Sequence, residues 1–367
     1  MIRIKSPGRI CLFGEHQDYL GYPIIAMSIS KYIYLKAVKT SQSKFIINLP
    51  DIKENIEIPL HNKEVEYFAK RDYLRSGYNI FIRNGIRLDK GYRIEITGDI
   101  PINSGVASSS ALVIAWLFFL NIISGNKLNL YQLAIEGYNT EVKEFKEGGG
   151  IMDHFCSVYG DLIFLNPFLP KPNLINYNLN LDGFILGNSL ENKATVDDLI
   201  RVKNLAKSAF NELSNIMPDF NPYTTTLNEL DPFLSNLKKE HQLKIIGNII
   251  NRDITIEAKL LIDNNKENLL RKSDSNLILN FYQKLGKLLN LHHFQLKENI
   301  QVSTKKIDKM IFNCLRSGAF GGKINGSGFG GTMFILFPGN EQLVKQIIED
   351  SGGEAYIIKT SKGVKFY

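Results

Sequence analysis

The sequence predicts an α+β protein built in two parts, and three observations carry that expectation. Its 367 residues, 44% of them hydrophobic, exceed the usual size of one domain and suffice to fill two cores. The first half opens with strand-like runs and only then turns helical, whereas the second half holds long helical stretches rich in Lys, Asn and Leu. The chain then closes on a strand, a helix and a strand.

Taken in order, strand patterns are expected at 24–30, 32–38, 44–49 and 92–97. In the last of these Ile94 and Ile96 fall on one face and Arg93, Glu95 and Thr97 on the other, the alternation of a half-buried strand. A strongly apolar helix is expected over 109–123, ending at Ser124 and Gly125. A second should run over 131–146 after Asn129 as N-cap, and Gly148, Gly149 and Gly150 should break it. A strand at 162–165 precedes a proline-rich surface connection at 166–172. Helices follow near 194–216, 240–263, 276–291 and 303–316, then a strand at 331–337, a helix at 340–350 and a strand at 355–359. No internal repeat or low-complexity tract stands out.

Bulk properties exclude several classes of function. The net charge of +7 comes from dispersed lysines, which suits a polyanionic small substrate and lacks the concentrated basic face of a nucleic-acid binder. The longest apolar run, 111–123, is too short to span a bilayer and is interrupted by Asn121. The first residues lack the apolar core of a signal peptide, so a cytoplasmic location is expected. Cys11, Cys156 and Cys314 are far apart without metal-ligand spacing and are expected to be buried and unpaired.

Three stretches and one acid carry chemistry. Pro101 to Ala111, including Gly105, Val106, Ala107, Ser108, Ser109 and Ser110, lies between a strand and an apolar helix. Small residues at a helix start let unpaired N–H groups approach an anion, although serines that merely cap a core helix would look the same. Near the N-terminus Arg9, Glu15, His16 and Asp18 crowd together between Gly8, Gly14 and Gly21. Such a cluster suits the hydroxyls of a polyol, a metal, or a salt-bridged surface loop. The third stretch, 317–331, is dense in glycine; Gly326, Gly328 and Gly331 match a dinucleotide spacing, but a strand pattern follows where that motif needs a helix. Close approach of backbone to a substrate or another loop is the expected reason for these glycines. Asp153, just after the glycine turn, is either an N-cap or an acid aimed into a cleft.

Taken together, 7–19, 101–111 and 323–331 resemble the three motifs of the GHMP kinases, a superfamily that includes galactokinase, homoserine kinase, mevalonate kinase and phosphomevalonate kinase. The strings at 14–19 and 150–153 are most like galactokinase, whereas Val106-Ala-Ser-Ser-Ser110 resembles the mevalonate kinase version of the second motif. Cys11, Phe13 and His154 depart from the galactokinase pattern. The resemblance implies a GHMP kinase fold, with a ribosomal protein S5 domain 2-like N-terminal domain over 1–185 and a ferredoxin-like C-terminal domain with extra helices over 186–367. It implies ATP and Mg²⁺ in a cleft, Asp153 as catalytic base with Arg9 beside it, and Ser109 and Glu141 as magnesium ligands. Glu15, His16, Asp18 and Gly150 would contact the sugar. Pro101 and Gly105 to Ser110 would form the ATP-phosphate loop, and Gly326, Gly328 and Gly330 the C-terminal glycine loop.

The reaction implied is transfer of the γ-phosphate of ATP to a sugar hydroxyl, the anomeric C1 hydroxyl of galactose or a related sugar. Another acceptor, such as a uronic acid, pentose, heptose phosphate or mevalonate, and a sensor that binds ATP and sugar without transfer are the alternatives. The partners expected are a small-molecule sugar and ATP, with neither nucleic acid nor membrane. The sequence carries no sign of oligomeric state.

Overall fold

Two β-sheets meet across an apolar cluster in the computed structural model, which describes residues 1–101, 105–167, 171–191 and 196–367, with the backbone alone at 196 and 197. Residues 102–104 of the serine-rich stretch, 168–170 of the proline-rich connection and the expected helix start at 194–195 lie outside the described residues.

The first half runs β1 (Ile2–Phe13), β2 (Ile24–Lys39), β3 (Lys44–Leu49), β4 (Glu54–Pro59), α1 (Tyr73–Arg83), β5 (Tyr92–Gly98), α2 (Ser108–Ile123), α3 (Leu130–Tyr138), α4 (Met152–Tyr159), β6 (Leu162–Asn166) and β7 (Asn173–Asn176). The second half runs β8 (Phe184–Asn188), α5 (Val196–Ile216), α6 (Leu227–Leu234), α7 (Lys239–Arg271), α8 (Ser275–Glu298), α9 (Lys305–Arg316), β9 (Gly321–Asn325), β10 (Thr332–Leu336), α10 (Glu341–Asp350), β11 (Glu354–Ile358) and β12 (Lys365–Phe366). The first sheet has the order β12-β1-β2-β5-β3-β4, with β6 joined to β2 and β7 to β6. The second is antiparallel in the order β11-β8-β10-β9.

The α+β class stands, and several local expectations change. The two strands expected at 24–30 and 32–38 are one continuous β2, whose first part pairs with β6 and whose second part pairs with β5. The helix expected over 131–146 starts on an Asn129–Gln132 capping box but widens into a π-helical turn at Asn139–Lys143. A turn of this kind rotates side chains off the regular face and is common at functional sites. Here it aims Glu141 inward. Helices α7 and α8 run longer than the apolar periodicity suggested: the added turns of α7 are mostly polar and exposed, whereas those of α8 bury His292, His293 and Gln295, polar side chains that leave no apolar pattern. Strand β4 and helix α1 went unread in the sequence; α1 begins on Asp72, which accepts from the amide of Arg75.

Helix α2 is buried nearly all round, with Trp116 and Phe119 stacked against each other and edge-on to Phe45 of β3. It is the centre of one apolar cluster between the first sheet and α1 to α4. A second cluster joins the halves: Leu12, Phe13 and Met27 of the first sheet meet Phe184, Leu186 and Phe334 of the second, with Ile254 and Leu285 from α7 and α8. The division expected at 185/186 falls inside β8, which pairs along its whole length with β10 and β11. Strand β12 crosses back to pair with β1 of the first sheet. All three cysteines are buried and unpaired. Among the described residues no helix is long and apolar enough to cross a membrane.

Candidate active site

A cleft of about 880 Å³ is lined by both halves, from the end of β1, the start of α2, the π-helical turn, α4 and the glycine loop after β9. Its floor is an ion pair. Arg9, on β1, donates from Nε to Asp153 Oδ1 at 2.7 Å and from Nη2 to Oδ2 at 2.9 Å, while Nη1 donates to the carbonyl of Gly105 at 2.6 Å. This bidentate pairing fixes the carboxylate in plane and orientation. Burial works against the Arg9 cation, but Asp153 and then Glu15 outweigh it, so its pKa is raised above the ordinary value. Asp153 is the second residue of α4 and not its N-cap, which is Ile151; its side chain is 25% exposed, toward the cleft.

The start of α2 faces the same space. The N-cap is Ala107, held in the left-handed region at φ +62°, and no side chain caps the helix. The capping alternative for the serines therefore does not hold. First-turn N–H groups of a helix have no intrahelical partner and favour an anion. Behind this end the backbones of the two loops interlock: a Cβ on Gly326 would lie 2.6 Å from the carbonyl of Gly105, and one on Gly105 would lie 3.0 Å from that of Asn325. Asn325 donates to the same Gly105 carbonyl at 3.0 Å and accepts from the Cys11 amide at 2.9 Å. Close approach of backbone thus accounts for Gly105 and Gly326, and both line the cleft. Pro101, Val106, Gly328 and Gly330 stand outside its lining. Val106 is buried in the shared apolar cluster, and Gly328 backs onto Val302.

Glu141 is buried beside this helix start. Its Oε2 accepts from Ser110 Oγ at 2.7 Å and lies 2.8 Å from His154 Nε2, and Ser109 adds a further bond. Burial alone would raise its pKa, but the bonds from His154, Ser109 and Ser110 more than offset it and hold it below the usual carboxylate value. One carboxylate with a neighbouring hydroxyl is a hard-oxygen donor pair. Among the described residues no group of three His, Cys, Asp or Glu side chains could hold a metal ion by itself. The pair fits Mg²⁺, which keeps water and substrate phosphates as its other ligands and does not require a protein cage.

Asp18, His16, Glu15 and Gly150 complete the lining. Asp18 is buried and accepts from the amides of Tyr19 at 2.9 Å and Met152 at 3.4 Å. Burial, then the charge of Asp153, pushes its pKa up to about 6. Gly150 makes room for it: a Cβ there would sit 1.6 Å from Asp18 Oδ2. His16 is kept neutral by burial, which lowers its pKa to about 4, and its Nδ1 lies 3.2 Å from Tyr19 Oη. His16 Nε2 and Ser327 Oγ are buried without a hydrogen-bond partner. Glu15 differs from the sugar-contact expectation in one respect, since both its oxygens already accept from protein: Oε2 from Lys323 Nζ at 2.5 Å and Oε1 from the Gly326 amide at 2.6 Å. Lys323 is fully buried and also donates to the Cys11 carbonyl at 2.8 Å. Glu15 thereby ties the loop after β1 to β9 and the glycine loop.

Lys323, Asn325 and His154 belong to the site without being among the residues the motifs single out. An ionisable or amide side chain inside an apolar strand pattern, as in Gly322-Lys-Ile-Asn325, was the available signal for the first two. Arg71 and Tyr73, at the start of the unexpected helix α1, also line the cleft, as does Glu147, which follows the π-helical turn and pairs with Arg71.

Comparison with known proteins matches residues 69–161 to the GHMP kinases N terminal domain, 270–353 to the GHMP kinases C terminal domain, and 2–39 to the galactokinase galactose-binding signature. The chain is 26% identical over 376 residues to a mevalonate kinase of Pyrococcus abyssi, covering 99% of this chain and 96% of that one. It is 24% identical over 369 residues to a galactokinase of Pyrococcus furiosus, covering 100% and 96%. Among solved structures, Lactococcus lactis galactokinase complexed with galactose superposes with a TM-score of 0.85 at 21% identity, covering 100% of this chain and 95% of that one. Methanococcus jannaschii mevalonate kinase gives a TM-score of 0.69 at 19% identity, with 98% of each chain covered.

Proposed function

The chain belongs to the GHMP kinase superfamily and is a phosphotransferase acting on an alcohol group, and on that premise we propose that it phosphorylates a sugar at the anomeric C1 hydroxyl, with galactose or a sugar of similar outline as acceptor. The observation that carries this reading is the Arg9–Asp153 pair, opening into one cleft that the bare start of α2, Asp18 and His16 also line.

Phosphoryl transfer demands positioning and charge stabilisation more than covalent chemistry from the protein. In this reading the unpaired N–H groups at Ser108 to Ser110 take the triphosphate of ATP. Asp153 accepts the proton of the attacking hydroxyl, and a positioned base of this kind contributes about 10² to 10⁴-fold. Arg9 holds that base by two bonds and the phosphate loop by a third, so base and donor keep one spacing. Ser109 and Glu141 would hold Mg²⁺, which when bound neutralises charge on the β- and γ-phosphates. Asp18, His16 Nε2 and Ser327 Oγ offer acceptors and donors to sugar hydroxyls.

A mevalonate acceptor is the second reading, supported by the several mevalonate kinases among the relatives. The charge of Asp18 weighs against it, since an acceptor carboxylate beside that group would be repelled. An acceptor panel with ADP detection tests the proposal: galactose-like sugars should stimulate ADP release and mevalonate should not. Product NMR should then show phosphorus coupled to C1. Stimulation by mevalonate alone, or coupling to another carbon, would overturn the corresponding part of the proposal.

A further inference from the structure

We infer that His154 is a positioning residue for the cation site: it holds Oε2 of the Glu141 carboxylate and so fixes the orientation in which that carboxylate would meet a metal. The inference rests on the reading of Glu141 as a magnesium ligand. His154 is 1% exposed, and its Nε2 lies 2.8 Å from Glu141 Oε2. A carboxylate can only accept, so the proton of this bond sits on Nε2. The other ring nitrogen, Nδ1, is buried without a partner, so the bond to Glu141 is the ring's one hydrogen bond.

The ring is confined as well as bonded. Its edge packs on Gly137 of α3, where an added Cβ would come 3.0 Å from His154 Cδ2 and 2.6 Å from Ile114 Cδ1. Tyr138 meets it edge-on, with centroids 6.0 Å apart. Glu141 follows in the π-helical turn that continues α3, so the carboxylate and the wall that confines its donor come from one segment. His154 also follows Asp153 directly in α4. Successive residues of an α-helix point about 100° apart. Asp153 therefore faces Arg9 while His154 faces Glu141, and one helical turn fixes both the base and the carboxylate that would hold the cation. Groups that orient a metal ligand typically change metal affinity by about 10 to 100-fold when removed.

The test measures Mn²⁺ binding to the full-length protein saturated with ADP, by electron paramagnetic resonance, alongside thermal unfolding. His154→Leu should weaken Mn²⁺ binding by about 10 to 100-fold, whereas His154→Gln, whose amide can donate from nearly the same place, should stay within about threefold of the native protein. His154→Met, flexible and of similar length, replaces the leucine variant if that one does not fold. A purely structural role would lower the unfolding temperature of these variants without separating Gln from Leu or Met in Mn²⁺ affinity. Glu141→Ala is the control. If it weakens Mn²⁺ binding and a folded His154→Leu or His154→Met does not, the role given to His154 is wrong. If Glu141→Ala itself binds Mn²⁺ like the native protein, the cation-site reading fails and the inference falls with it.

Discussion

Replacing Gly150 by alanine should damage acceptor recognition and leave the nucleotide alone. The added Cβ would stand 1.6 Å from Asp18 Oδ2, 2.0 Å from its Cγ and 2.4 Å from Oδ1. Non-bonded heavy atoms need about 3.5 Å, so the carboxylate must retreat by roughly 2 Å. Asp18 cannot drift as a whole, because it begins the short helical turn Asp18–Leu20 that Gly21 closes at φ +89°. Its side chain must swing instead, giving up the weak bond from the Met152 amide and its aim into the cleft. One hydrogen bond to a charged group is worth about 1.5–3 kcal/mol, so acceptor kcat/KM should fall about 10 to 150-fold. Overpacking should lower stability by about 1–3 kcal/mol. The added Cβ meets only Asp18 among its nearest atoms and none of the residues at the start of α2, so the KM for ATP should stay within about threefold. Steady-state kinetics with each substrate varied at saturating amounts of the other would check this. An unchanged acceptor kcat/KM in a folded variant, or an equal loss for ATP, would refute the assignment of Asp18 to the acceptor.

Three further outcomes follow from the same geometry. Asp153→Asn should lower kcat by at least about 100-fold with little change in ATP affinity, and turnover near native would show that another group takes the proton. Asp18, with its pKa raised to about 6 from 3.8, is stabilising while protonated, and that contribution disappears as pH rises through about 6. Above that pH the ionised carboxylate is the better hydroxyl acceptor, so acceptor KM should fall as pH rises from 5 to 7 in the native protein and stay flat in Asp18→Asn; a flat native profile would count against it. Glu15→Gln leaves the fully buried Lys323 ammonium without its counter-charge and should cost about 3–5 kcal/mol in denaturant unfolding, much of it recovered when Lys323→Met is added. No recovery in the double variant would mean that the loss comes from the Gly326 bond instead.

The chemistry of the site was legible where side chains of one kind cluster in short strings. Arg9 and Asp153, 144 positions apart, were paired by resemblance to known motifs and stand bonded in the cleft. The capping of α3 by Asn129 and the strand after the glycine loop were readable from local rules alone. What could not be read depends on distant partners. The engagement of Glu15 depends on Lys323, 308 positions away, and the companion of Glu141 is a histidine that periodicity marks only as a residue of a short helix. Val106 sits between Gly105 and Ala107, both in the left-handed region, and the sharp turn they make carries its side chain into the core. The π-helical turn gives no periodic signal, because one widened turn disturbs the 3.6-residue pattern without replacing it by another.

The apolar cluster common to both sheets bears on how the enzyme handles its substrates. Prising the walls apart would strip Leu12, Phe184 and Leu285 from one another and wet surfaces that are dry in the folded chain. A wide hinge between the halves is therefore disfavoured, and the cleft that holds Arg9 and Asp153 keeps its walls, Leu199 of α5 among them, on a joined interior.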